Sequence, residues 1–184
     1  IEFDDDTDDD SDTDSKEITS PQNKAFEKNK KYLIEFLRTF IIYKSQNANI
    51  SNDHLSLYER FSQIYTSAEK EVVMDELQRA FRLYKCIERE EVPEDYSILN
   101  NDRHLQLLFR RIRNTRQKSI YPFLLSVLMD YFGDRSVIID DRILINSIEV
   151  YQKFVFYMIL TDQKKHLGRQ AASLFRNTAR DVIN

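Results

Sequence analysis

Apolar residues recur along most of this chain at spacings of three and four, which is the helical period. The first such run opens at Ser20-Pro21. A Ser there caps free N–H groups, and a Pro fits the first helical position. Phe26, Leu33, Phe36, Leu37, Phe40 and Ile41 follow, until the polar run from Gln46 to Asn49 ends the pattern. A shorter helix is predicted over about Asp53–Ile64, with Leu57, Phe61 and Ile64 on one face. Thr66 and Glu69 stand three apart as a capping box. Behind them Val73, Leu77, Ala80, Tyr84 and Ile87 form the most regular stripe in the chain, and Glu90, Glu91 and Pro93 close it.

Leu105, Leu108, Phe109 and Ile112 mark the next helix. Tyr121–Phe132 is apolar nearly all round, so it is predicted to be a buried central helix that stops at Gly133. Asp134–Ile139 reads as a loop or a brief extended piece. Asp141–Leu160 then turns Leu144, Ile148, Tyr151, Val155 and Met158 inward, and Thr161-Asp162 caps a last helix carrying Leu167, Ala171, Leu174 and Phe175. The expected fold is all-α, with about seven helices in an antiparallel bundle-like array and no strand. No repeat of solenoid length is visible.

Composition supports this. The 184 residues include 2 Gly and 3 Pro, too few for turn-rich β folds or for Gly-rich phosphate loops. Hydrophobic content of 41%, with 12 Phe and 10 Tyr, is enough for a sizeable core. The single Cys86 excludes an intrachain disulfide and Cys-based metal clusters, and it suits a reducing, cytoplasmic compartment. No signal peptide or membrane span is read. The chain opens on Ile1, which is expected of a piece of something longer.

Charge divides the chain in two. Eight Asp, two Glu and one Lys give the first 20 residues −9 of an overall −4, which leaves +5 on the remainder. Residues 1–19 are expected to be an acidic flexible leader or loop, and 20–184 a single helical domain.

Common catalytic sites lack their residues. No Gly-rich turn carries a nucleophilic Ser, no HExxH helix occurs, and none of His54, His104 or His166 has the Arg that a HEPN-type ribonuclease needs. Asp53-His54 resembles the start of an HNH nuclease but lacks a second ligand, so it reads as a capping Asp beside a surface His. The carboxylate pairs Glu90-Glu91, Glu94-Asp95 and Asp140-Asp141 each fall at a predicted helix end, where acids act as caps or solvated termini. Cys86 reads as a buried structural thiol. No catalytic residue, metal or cofactor is assigned.

The chief polar feature is basic. Arg103, Arg110, Arg111, Arg113, Arg116 and Lys118 fall within sixteen residues, and Lys164, Lys165, Arg169, Arg176 and Arg180 form a second group. Guanidinium groups match phosphate geometry, so these are candidate contacts to nucleic-acid phosphates. Arg103, Arg110 and Arg113 are expected on one stripe. The plainer reading is a solvated helix face, or pairing with the acidic leader.

The order of features bears on function. Leu83-Tyr84 on a long helix comes first, followed by Ile120-Tyr121-Pro122-Phe123-Leu124-Leu125. A hydrophobic helix ending in Phe154–Leu160 comes next, and Gly168 with Leu174-Phe175 comes last. Over about residues 20–184 this resembles the helical part of the GmrSD-type restriction endonuclease family, whose YPLLLAL helix the Tyr-Pro-Phe-Leu-Leu stretch looks like. The chain departs from that family in three ways. Phe156-Tyr157 stand where paired Arg are common, the nucleotide-handling Asp-Gly-Gln-Gln-Arg motif is absent, and no HNH-like nuclease domain follows.

The resemblance implies a noncatalytic helical piece of a larger restriction or phage-defence protein. It would pack on a missing amino-terminal nucleotide-binding domain or partner subunit and contact DNA, with the hydrolytic residues outside this chain. The alternative is a helical protein-interaction or structural module with no nucleic-acid role. An exposed apolar patch above a few hundred Å² would favour that alternative.

Overall fold

A computed structural model describes residues 21–45, 53–133 and 140–161 of the chain. Among them lie seven α-helices and no strand, in keeping with the all-α expectation. They are α1 (Pro21–Ser45), α2 (His54–Ile64), α3 (Lys70–Arg89), α4 (Ser97–Asn101), α5 (Arg103–Asn114), α6 (Tyr121–Tyr131) and α7 (Asp141–Leu160), with a 3-10 turn at Lys118–Ile120 leading into α6. The predicted last helix and the acidic leader lie outside the described residues. The seventh of the described helices is α4, which the pattern missed. Its five residues bury only Leu99, too little to show a period.

Helix α6 is the centre. Eight of its eleven residues are buried, and it packs against α1, α3 and α7. A helix apolar on every side reaches low energy only when neighbours cover every side. Aromatic rings fill its surroundings. Tyr32, Phe36, Phe81 and Tyr84 cluster between α1 and α3, Tyr84 meets Tyr121 edge-on at 6.1 Å, and Phe123 stacks on Tyr151 of α7 at 3.6 Å. Helices α5 and α7 pack on each other, and their inward residues join the same core. Leu105, Leu108, Phe109 and Ile112 are all buried, as are Leu144, Ile148, Tyr151, Val155 and Met158. At the other end, α2 covers Ile41 and Ile42 of α1 with Leu57.

Four local expectations are refined. Phe26 in the first turns of α1 is 66% exposed, and Leu33 is also exposed although its neighbour Tyr32 packs on Phe81 and Tyr84 of α3. The capping box at Thr66 does not form. The Thr66 hydroxyl donates back to the Ser62 carbonyl at 2.8 Å, just beyond the end of α2. The N-cap of α3 is Glu69, without a side-chain cap. Helix α3 ends at Glu90 in the left-handed conformation, φ 61°. Helix α6 ends at Tyr131, two residues before Gly133, which has an ordinary φ. A β-carbon at Gly133 would sit 2.4 Å from the Met129 carbonyl oxygen, so close approach, not left-handed backbone, demands glycine there.

Candidate nucleic-acid interface

Helix α5 carries the basic cluster, and its start is fixed locally. Asp102 accepts a hydrogen bond from the Leu105 N–H at 2.8 Å, a side-chain cap on the first turn. With about 100° between successive residues, Leu105, Leu108, Phe109 and Ile112 take the inner half. Arg103, Arg110 and Arg111 fall on the outer half, within roughly 100° of one another, and are exposed. No Asp or Glu lies on α5 itself. Arg116 is exposed just beyond the helix, at φ 56°.

Arg113 and Lys118 do not share that face. The Arg113 side chain is only 14% exposed. Its Nη1 donates to the Cys86 and Ile87 carbonyls at 3.3 and 3.1 Å, and its Nη2 pairs with the Glu90 carboxylate. Those carbonyls belong to the last turn of α3, which has no further turn to receive them. Arg113 therefore serves as a C-terminal cap delivered from a different helix. The expected stripe of Arg103, Arg110 and Arg113 is broken, because Arg113 lies at the edge of the outer half and reaches inward. Arg110 remains largely exposed, with its Nε 3.5 Å from the same Glu90 oxygen.

Lys118 lies between two carboxylates, 2.6 Å from Glu35 of α1 and 2.7 Å from Glu88 of α3. Burial pushes its pKa down, but the hydrogen bonds to Glu35 and Glu88 outweigh that and raise it. Glu88 also hydrogen-bonds Tyr121, whose phenol pKa is raised first by burial and then by that bond. Lys118 thus joins α1 and α3 beneath the entry to α6. Lys164, Lys165, Arg169, Arg176 and Arg180 lie outside the described residues.

The remaining candidates resolve structurally. Asp53 caps α2 by accepting from the Ser56 N–H, and Asp140 caps α7 by accepting from the Ile143 N–H. Asp95 forms a two-oxygen pair with Arg82 at 2.6 and 2.8 Å. Cys86 is buried, its thiol donates to the Arg82 carbonyl at 3.2 Å, and burial pushes its pKa up to about 12. His104 is exposed on α5, and His166 lies outside the described residues. Among the described residues no group of three or more His, Cys, Asp or Glu is placed to hold a metal ion.

Two features escaped the sequence pattern. The first is a cavity of about 250 Å³ where the end of α3 meets α4 and α5, lined in part by Cys86, Glu90, Phe109, Arg110 and Arg113. Its two sides come from separate stretches of the chain, so no local spacing reveals it. The second is the outer face of α7. Ile143, Val150 and Tyr157, seven apart, and then Leu160 run along it as exposed apolar residues. That seven-residue spacing is legible, but only burial distinguishes it from the inward stripe. Among the described residues α7 is the one helix long and apolar enough to cross a membrane by length and composition alone; five of its residues are buried in the core.

No family model, no curated protein and no solved structure matches this chain.

Proposed function

We propose that this chain is a noncatalytic helical module that holds nucleic-acid phosphates on the outer face of α5. The GmrSD resemblance supplies its setting, a larger restriction or phage-defence protein in which the module packs on a nucleotide-binding domain. One observation carries the reading: Arg103, Arg110 and Arg111 share the exposed half of a helix with no carboxylate of its own, and Arg116 follows directly. Such a face neutralises phosphates and releases their counterions without reading bases, so binding falls steeply with salt.

The test uses the full chain and a labelled duplex across a salt series. Substituting Arg103, Arg111 and Arg116 with Ser leaves the cap at Arg113 intact. The expected result is weaker binding at every salt concentration, with a salt slope lower by about three, one for each phosphate no longer neutralised. Deleting residues 1–19 is expected to strengthen binding, since the net negative charge of that segment competes for the same face. Unchanged affinity of the triple variant at low salt overturns the assignment.

The α7 outer face favours a second reading, a protein-interaction module. Val150, Tyr157 and Leu160 are 64%, 60% and 69% exposed on one stripe. A nucleotide-binding domain is the partner that the resemblance implies. Loss of association on Val150→Glu, with duplex binding intact, supports this reading over the first.

A further inference from the structure

The cavity between the end of α3 and helices α4 and α5 has a wall of two kinds. Val92, Leu99, Phe109 and the Cys86 thiol supply its apolar part. Asn100 and Gln106 also line it, but their amide nitrogens are spent on the Pro93, Leu99 and Asn100 carbonyls. The cationic groups of the wall are the Arg110 and Arg113 guanidiniums, and both converge on one oxygen of Glu90.

Glu90 is unusual in its position. It ends α3 at φ 61°, a conformation that a residue with a β-carbon adopts at a cost and that glycine adopts freely. The residue there brings a carboxylate to two arginines. Its side chain is 49% exposed, so it can turn out into water, whereas Arg113 stays fixed by its bonds to Cys86 and Ile87. Two guanidiniums against one carboxylate leave the cavity mouth with an excess of positive charge.

We propose that this cavity is a binding site for a small organic anion, a carboxylate or phosphate monoester on a compact apolar body, and that Glu90 is the internal anion it displaces. The anionic oxygens take the place of the Glu90 carboxylate on Arg113 and Arg110. The apolar body lies against Phe109, Leu99 and Val92. The space suits a body of benzene size, which is held by an engineered apolar cavity of roughly 150 Å³. The site stands on the cavity and its paired arginines, not on the nucleic-acid reading, and failure of duplex binding leaves it in place.

The experiment titrates the full chain with phenyl phosphate, benzoate, inorganic phosphate and phenol, following the Arg113 side-chain N–H and Phe109 amide signals by NMR. The expected result is saturable shifts with phenyl phosphate and benzoate and weaker binding of inorganic phosphate and phenol. Glu90→Gly removes the competing carboxylate and suits the backbone, so affinity is expected to rise about tenfold. Arg110→Gln, on a largely exposed side chain that does not threaten folding, is expected to lower it by about the same factor. The absence of saturable shifts in the Glu90→Gly variant up to about 10 mM ligand overturns the site. So does phenol binding as tightly as phenyl phosphate, or inorganic phosphate binding as tightly as phenyl phosphate, since each removes half of the recognition.

Discussion

Helices α5 and α7 pack against each other and bury equivalent inner stripes, yet their outer faces differ in their dominant side chains. The outer half of α5 carries three arginines around one exposed Leu107, and that of α7 carries the apolar row of Ile143, Val150, Tyr157 and Leu160 beside Arg142, Glu149 and Lys153. Inner faces obey one demand, removal of apolar surface from water, and so they look alike. Among the described residues no element covers the outer faces, so the same demand does not shape them. An arginine face is well solvated as it stands. An apolar row is not, and exposed apolar surface of that kind marks interaction sites. The comparison also shows that location on a basic helix does not assign a charge to the surface. Arg113 sits on α5 among exposed arginines and still spends its guanidinium on the end of α3.

The largest effects are expected on the shared inner surface. Leu108→Ala on α5 and Ile148→Ala on α7 each remove a side chain with almost no exposure. Each is expected to lower unfolding free energy by about 3 kcal/mol in urea denaturation, for lost burial and the cavity left behind. A loss on one helix much smaller than on the other would break the equivalence of the two inner faces and place that helix outside the cooperative core.

The next effect separates the arginines of α5 from one another. Arg113→Gln removes the guanidinium that serves the Cys86 and Ile87 carbonyls and leaves Glu90 only its longer contact with Arg110, and is expected to cost about 2 kcal/mol. Arg110→Gln and Arg111→Gln are expected to change stability by less than about 0.5 kcal/mol, as exposed positions do. Equal, small losses for all three, measured by the same urea transitions, would return Arg113 to the solvent-facing set and restore the stripe that spacing alone predicts.

Spacing alone carried much of the fold. The inward residues of α5 and α7 are legible because a core helix must repeat apolar positions at three and four, and the central place of α6 is legible because apolar residues surround it. Three things were not legible. Helix α4 is too short for an apolar position to recur. Thr66 and Glu69 have the spacing of a cap, but α3 begins only at Lys70 with Glu69 itself as its N-cap, so Thr66 lies outside the first turn. The candidate site was legible as a density of arginines and no further. Whether a given cation faces water depends on Glu35, Glu88 and Glu90, which are distant in sequence and arrive through the packing of α1 and α3.

The smallest stability effects are expected on the outer faces, and there the two helices differ most in readout. Val150→Glu with Tyr157→Glu on α7 is expected to shift unfolding by no more than about 0.5 kcal/mol, because neither side chain gives up much buried surface. Its effect belongs to association. Light scattering of the full chain is expected to show less self-association or partner binding, since a carboxylate in an apolar interface loses its water without gaining a partner. The Ser variants at Arg103, Arg111 and Arg116 are expected to leave scattering unchanged and to act only on salt-dependent duplex binding. If the α7 variant alters duplex binding as strongly as the α5 variant, the two faces form one surface and the division between them fails. If it costs about 2 kcal/mol or more in urea, Val150 and Tyr157 are covered within the chain itself, and the apolar row is part of the core.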